Sequence, residues 1–398
     1  MRIATANAYD GALDTLTRQQ AELSRVQAQI SSSKRVERGS DDPAAAARAE
    51  RALAGVARTE AHQRALDASR NATTQAESAL GDATDLLQQA REALVASGNA
   101  SYGDAERKSL AAQIRNIRAQ LLAIANRDDG AGGYLFGGQG SAAPPFVDAP
   151  GGVRYAGTAG TQVAADPDGM PLALDGGATW LAARSGNGVF ETAALGGTGS
   201  AWIDAGRVTD PSAVTGSTYS IAFTVAGGAT TYSVLKDGAP TAQTNVAYTS
   251  GQAIVVDGES AIVSGQPADG DRFELRPSSP TLSAFDALDR IATQLETPGR
   301  NSGQIQQTTS AGLRDVDAVL GQLGSARSAA GDALQRIDAA TGRLDAQTVA
   351  LKAERSSAED LDMVQAISDF QTRQTGYDAA LKAYSMVQRL SLFQYLGP

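Results

Sequence analysis

Apolar residues near both ends of the chain recur at alternating steps of three and four, the spacing that lines one helix face. In the first arm Leu13, Leu16, Gln20, Leu23, Gln27 and Ile30 keep that step. After an interruption, Thr73, Ala76, Leu80, Ala83, Leu87, Ala90 and Leu94 resume it. Leu110, Ile114, Ile117, Leu121 and Ile124 mark a third helix, with Asp104 placed to cap it and Asp128-Asp129-Gly130 to end it. The strongest pattern is in the last arm. Leu313, Val316, Leu320, Leu323, Arg327, Ala330, Leu334, Ile337, Thr341, Leu344, Thr348 and Leu351 hold the spacing without a slip. Most are apolar, which predicts a coiled-coil seam. The phase then shifts to Met363, Ile367, Phe370, Tyr377, Leu381 and Tyr384, a change that locally alters the supercoil.

Between Leu135 and Pro280 the period changes to two. Tyr219, Ile221, Phe223 and Val225 share one strand face, Gly227-Gly228 predicts a turn, and Tyr232 and Val234 continue on a second strand. Ile254-Val255-Val256, Asp257-Gly258, Ile262-Val263 and Phe273-Glu274-Leu275 repeat the rhythm. This middle holds 10 of the 13 prolines, both tryptophans and more than half of the glycines, a density that excludes long helices. A β domain inserted between two helical arms is expected.

The run SKRVERGSDDPAAAARAERAL, from Ser33 to Leu53, predicts a corner between two helices. Gly39 is expected to end the first helix in a left-handed conformation. Asp42 suits the N-cap of the second helix, and Pro43 its first position, where no amide donor is missed. The corner set is Gly39, Ser40, Asp41, Asp42 and Pro43.

Charge and composition narrow the function. The 398 residues carry a net charge of −10, which disfavours nucleic acid or an anionic membrane as partner. There is no cysteine, so disulfides and thiolate metal sites are excluded. The start lacks the apolar core of a cleavable signal peptide, and no segment reaches the roughly 20 apolar residues of a spanning helix. The single histidine, His62, sits among charged residues on an alanine-rich helix and cannot build a zinc site by itself. Ser31-Ser32-Ser33-Lys34 matches S-x-x-K without companion motifs. Asp166-Pro167-Asp168-Gly169 lacks the later ligands of a calcium loop and reads as a turn. Gly137-Gly138-Gln139-Gly140 has neither the spacing nor the following helix of a phosphate loop. Lys34, Arg35 and Arg38 suit the C-terminal end of helix one. Residues 140–280 hold no histidine and no convergent catalytic set. No enzyme, cofactor or metal site is expected.

The segments SSSKRV (31–36), GSDDPAAAARA (39–49), YLFGG (134–138) and MVQAISDFQTRQTGYDAALKAYSMVQRLSLFQYL (363–396) resemble the hook-associated protein 3 family of bacterial flagella, adaptors within the wider flagellin group. VSGQPADGDRFELRP (263–277) is similar to a segment of hook-associated insertions. The resemblance covers both helical arms and is weak over most of the insertion. A divergent flagellin forming the filament itself is the alternative. Asp42-Pro43, the start Arg2-Ile3-Ala4-Thr5 and the end Phe393-Gln394-Tyr395-Leu396 look more like the adaptor.

The resemblance implies a mainly α fold with an inserted β domain, its terminal helices nested in coiled-coil layers. Expected segments are 1–40 and 356–398 for an inner terminal-helix layer, 41–135 and 282–355 for a helical bundle, and 136–281 for the β insertion. It implies a secreted structural protein at the hook–filament junction, exported by the flagellar type III system without a cleaved signal. Implied partners are copies of itself in a ring or helical layer, hook-associated protein 1, flagellin, and an export chaperone on the C-terminal helix. The terminal stripes carry too much apolar surface for an isolated helix pair. Tyr9, Leu13, Leu16, Leu23, Ile30, Ile367, Phe370, Tyr377, Leu381, Tyr384 and Phe393 are therefore expected to pack between subunits, the free ends ordering on assembly.

Overall fold

The structure, a computed structural model, describes the backbone of residues 2–395 and the side chains of residues 10–386. Its helices are α1 (Arg2–Ser32), α2 (Pro43–Ser97), α3 (Asp104–Ala125), the short α4 (Gly176–Trp180), α5 (Ala284–Glu296), α6 (Ser302–Glu359) and α7 (Met363–Tyr395). Strands lie between α3 and α5: β1 (Phe146–Ala149), β2 (Gly152–Tyr155), β3 (Gln162–Val163), β4 (Pro171–Ala173), β5 (Phe190–Ala194), β6 (Trp202–Ile203) and β7 (Arg207–Val208). They continue with β8 (Tyr219–Ala226), β9 (Ala229–Lys236), β10 (Ala239–Pro240), β11 (Val246–Ala247), β12 (Ala253–Val256), β13 (Glu259–Ser264) and β14 (Arg272–Pro277). The mainly helical fold with a β insertion is the one the periodicities predict.

The chain divides into two compact units, Met1–Arg64 with Thr341–Pro398, and Ala65–Ala340. In the first, α1 pairs with α7, and Glu22 meets Arg373 at 2.9 Å. The start of α2 faces the end of α6: the Thr348 hydroxyl donates to that of Thr59 at 3.1 Å and the Gln63 amide to Asp345 at 2.5 Å. Numbers that rise on one helix fall on the other, so the pairing is antiparallel. The buried face of this stretch of α2 is made of small residues, Ala45, Ala49, Ala52, Val56 and Thr59. Beside them Gly55 lets the helices close up, since a Cβ there would stand 3.0 Å from the Leu351 side chain.

In the second unit Leu80, Leu87 and Leu94 of α2, Ile114 and Leu121 of α3, Leu288 and Ile291 of α5, and Val316 and Leu323 of α6 share one core. The α6 stripe is thus confirmed, with Ala330 and Ile337 also buried. Arg327 escapes burial by reaching Glu77 at 2.6 Å across the seam. The first third of the insertion belongs to this core. Trp180 stacks on Phe285 at 5.8 Å and meets Phe136 edge-on at 5.3 Å, with Phe146 completing the cluster.

The later strands enclose a core of their own, which includes Phe190, Tyr219, Ile221, Phe223, Val234, Val263, Phe273 and Leu275. One antiparallel sheet runs β10-β9-β8-β14-β5, with β11 also on β9. A second runs β12-β13-β6, with β7 also on β13. The turn Gly227-Gly228 joins β8 to β9 with φ of 59° and 82°, and Asp257-Gly258 joins β12 to β13 with 39° and 79°. Both are the two-residue left-handed turns that match strand twist. A Cβ on Gly258 would fall 2.1 Å from the Asp210 carbonyl, so backbone approach as well as φ fixes glycine there.

Three local expectations are corrected. Helix α1 ends at Ser32, and the left-handed residue is Ser33, φ 57°, while Gly39 lies further on in the turn. Hydrogen bonds from this segment to the end of α6 outweigh the local preference of glycine. Helix α3 is capped at Gly103, whose N–H donates to Glu106 at 2.9 Å, and Asp104 instead accepts the Gly299 N–H at 3.1 Å. Val225 is exposed: the last three residues of β8, still paired with β9, bury no face.

Two predictions follow from these cores. Trp180→Ala, which empties a site only 1% exposed, should lower unfolding free energy by about 3–5 kcal/mol in denaturant titrations. Glu259 on β13 is 2% exposed and its Oε2 has no partner. Burial, and then the nearby Asp257 carboxylate, push its pKa up. The unfolded chain ionises this group first, so stability falls as pH rises from the ordinary glutamate range through the raised value. Glu259→Gln should remove that decline, which thermal melts across the pH interval will read.

Candidate assembly surface

The α1–α7 pair forms its seam from Ala12, Leu16, Gln19, Leu23, Val26 and Ile30 on α1. Of these, Val26 is buried and the rest are half-buried. Facing them on α7 are Ala366, Phe370, Tyr377, Ala380 and Tyr384, with Ala366 fully buried. Leu16, Leu23, Ile30, Phe370, Tyr377 and Tyr384 are therefore partly covered within one chain. The expected stripe through Leu13, Gln20 and Gln27 lies beside the seam instead, rotated by one position at alternate steps. Both sets obey the helical spacing; the observed one buries Val26 and leaves the two glutamines in water.

What remains uncovered is apolar. Leu13 is 50% exposed on α1; Ile367 is 44% and Leu381 40% exposed on α7. Ile367 and Leu381 flank the seam, while Val364 and Met386 stand on the far side of the helix, at about 100° of turn per residue. The helical backbone includes Tyr9 and Phe393, but their side chains lie outside the described residues. Glu22 binds both Arg25, at 2.6 Å, and Arg373, and these partners, Arg25 first, hold its carboxyl below its usual pKa.

The corner closes the pair at one end. Glu359 O accepts the Arg35 N–H at 2.7 Å, and Ser33 O accepts that of Leu361 at 3.1 Å. Arg35 Nη2 donates to Ala358 O at 2.8 Å, and Lys34 pairs with Glu359 at 3.4 Å. The basic cluster thus serves the C-terminal end of α6 rather than that of α1, where orphan carbonyls and the helix dipole both favour cations. Arg38 enters through its main chain. The two aspartates divide the remaining work. Asp41 accepts the N–H groups of Glu37 and Arg38 at 3.2 and 2.8 Å, closing the turn that carries Gly39 and Ser40. Asp42 accepts the Ala45 N–H at 3.0 Å, ahead of Pro43 as the first residue of α2, and pairs with Arg35 at 3.1 Å. The Ala45 amide and then Arg35 lower its pKa.

Among the described residues no group of three acidic, histidine or cysteine side chains could hold a metal, and no helix is long and apolar enough to cross a membrane. His62 is half-buried on α2. Asp166 accepts the amides of Asp168 and Met170 at 2.8 and 3.0 Å, an ordinary turn. The seam positions Ala12, Gln19 and Val26, and the role of Arg35, were not singled out from sequence. Val26, apolar where the expected stripe has Gln27, is the hint in the α1 sequence toward the observed register, though the α7 surface decides it.

Residues 3–141 match the bacterial flagellin N-terminal helical region, and residues 313–396 the corresponding C-terminal region. The chain is 39% identical over 156 residues to flagellar hook-associated protein 3 of Salmonella typhimurium, a match spanning 38% of this chain and 48% of that protein. It is 24% identical to the Escherichia coli hook-associated protein 3 over 99% of both. The crystal structure of hook-associated protein 3 from Legionella pneumophila superposes with a TM-score of 0.71 at 26% identity, over 77% of this chain and 99% of that one. FlgL of Xanthomonas campestris gives 0.69 at 28%, with the same coverage. These relatives are flagellar structural proteins, and the match takes in both helical arms and the corner between them. The chain belongs to the hook-associated protein 3 family within the bacterial flagellins.

Proposed function

We propose that this flagellar structural component is the adaptor at the hook–filament junction. It forms a layer of its own copies, with hook-associated protein 1 on one side and flagellin on the other. The carrying observation is the apolar surface left on the paired ends of the chain, at Leu13, Val364, Ile367, Leu381 and Met386. Exposed apolar side chains on several faces of these helices mark surface that partners cover, and heterologous contacts between copies would build a closed or helical layer. The relatives named hook-associated protein 3 support the junction over the filament as its place.

The same terminal helices explain the remaining proposed roles. Leu16, Leu23, Ile30, Phe370, Tyr377 and Tyr384 close the pair within one chain, while Leu13, Ile367 and Leu381, with Tyr9 and Phe393, pack against neighbours. Segments 1–40 and 356–398 form the inner layer and 41–135 and 282–355 the bundle, while of the 136–281 insertion the part beyond the residues that join the helical core faces outward. The protein leaves the cell through the flagellar type III system, with α7 held beforehand by an export chaperone that shields its apolar stripe.

A strain lacking the gene should keep its hooks and release flagellin into the medium, and antibody labelling should place the protein at the hook junction alone. Label spread along the filament would make the chain a flagellin instead. The pair of changes Leu13→Asp and Ile367→Glu lies outside the seam. It should leave the helical content and melting of the purified protein unchanged while lowering filament attachment at least about tenfold, the cost of burying unpaired charge. Unimpaired attachment in that double variant would remove the proposed surface.

A further inference from the structure

The second unit contains two apolar cores that share no residue, one built on the helices and the other within the sandwich of β5 to β14. A polar network spans the ground between them, beside Ile291 of the one and Phe273 of the other. Arg314 on α6, its side chain 9% exposed, donates through Nη1 to the Thr192 carbonyl at 2.9 Å and the Thr192 hydroxyl at 3.1 Å, both on β5. Its Nη2 pairs with Asp315 at 3.0 Å and comes within 3.6 Å of Glu191. Each carboxylate has a second arginine: Arg276 of β14 holds Glu191 at 3.1 Å, and Arg290 of α5 holds Asp315 at 2.8 Å. Nearer the start of α6, Gln307 accepts the Ile203 N–H at 2.8 Å, and the side chain of Asn301, just before that helix, donates to Gly199 O at 2.9 Å. Beside this network opens a crevice of about 350 Å³, walled by the same arginines. The chain crosses from one body to the other at two adjacent places, tied by the Ala183–Leu282 bridge and by Ser278 donating to Ser185 O at 2.6 Å.

We propose that residues 190–277 form a separately folding body whose pose on the helical base is set by a polar latch centred on Arg314. A buried ion network contributes little net stability, because desolvation offsets its attraction, but it is demanding about geometry. The two cores share no residue, so opening the latch leaves each intact. The crevice gives the sandwich room to turn about the paired connections near residues 184–189 and 278–281. Arg314 is a positioning residue: its planar fork meets a carbonyl, a hydroxyl and two carboxylates at once, which a lysine ammonium cannot do.

The test uses the full-length protein. In Arg314→Gln, amide exchange at residues 184–189 and 278–281 should rise about tenfold or more, the signature of a local opening. The spread of distances between spin labels on the 227–228 turn and on α3 should widen. Core amides of β8 and β14, and those of α3 and α5, should keep wild-type protection. Arg314→Lys should open the joint to a similar degree despite keeping the charge. Because Arg314→Gln leaves Glu191 and Asp315 short of a partner, Gln307→Ala offers a milder variant that bares no charge; it should raise exchange at the same connections to a smaller extent. Unchanged exchange and label distances in all three would overturn the latch. So would loss of protection in both cores together, which would make the unit one cooperative body.

Discussion

The short exchange of main-chain hydrogen bonds between residues 33–36 and the end of α6 is the constraint on which the first unit rests. It joins Arg35 to Glu359 and Ser33 to Leu361, positions separated by most of the chain. Closing so long a loop costs entropy that grows only slowly with length, so a few directional bonds together with the flanking seams can meet it. Their particular value is in register. Both helices break at the same level, and from that point the α1–α7 pair has its alignment fixed. The orphan carbonyls of Ala358 and Glu359 are satisfied by Arg35. The interruption after Ser33 in one arm and the phase shift before Met363 in the other are therefore one structural event seen from two ends of the sequence.

That event also shows which parts of the fold could be read locally. The alternating steps along α6 determined its buried face from Leu313 to Leu351, because a long run constrains the phase at every turn. The two-residue turns at 227–228 and 257–258 were legible because few residue pairs adopt positive φ. Asp42 and Pro43 announced the start of α2 by capping chemistry, a carboxylate for the orphan amides followed by a proline that lacks one. The end of α1 was not legible, since Ser33 takes its conformation from partners more than three hundred residues away, which no local preference encodes. The seam of α1 was ambiguous on its own terms. Leu16, Leu23 and Ile30 fit either register, and only the α7 surface decides between Val26 and Gln27. Nor could periodicity reveal that Phe136, Phe146 and Trp180 leave the insertion to join the helical core.

Electrostatics contributes alignment more than strength. Within the second unit Arg70 meets Asp338, Glu77 meets Arg327 and Arg91 meets Asp317 along the α2–α6 seam, all with at least one well-exposed side chain. Pairs of this kind contribute roughly 0–1 kcal/mol each. They punish a slipped register without supplying the energy of the bundle, which comes from the leucines and isoleucines beneath. In the first unit the small faces of α2 around Gly55 and Ala52 exchange side-chain volume for close backbone approach, so this stretch has less apolar surface to bury per turn than the bundle has.

The two kinds of contact have different uses in a protein that must become part of a larger assembly. An apolar seam is non-directional and gains with every square ångström removed from water. It suits surfaces covered once and kept covered, such as the bundle core and, on assembly, the outer stripe of α1 and α7. A polar joint gains little in net energy but admits only the geometry that satisfies its donors and acceptors. That is the character of the ground around Arg314, where the sandwich meets the helices. Under the proposed assembly, the chain places its binding energy in the helices that hold the layer together. It places its geometric selectivity where the insertion is carried.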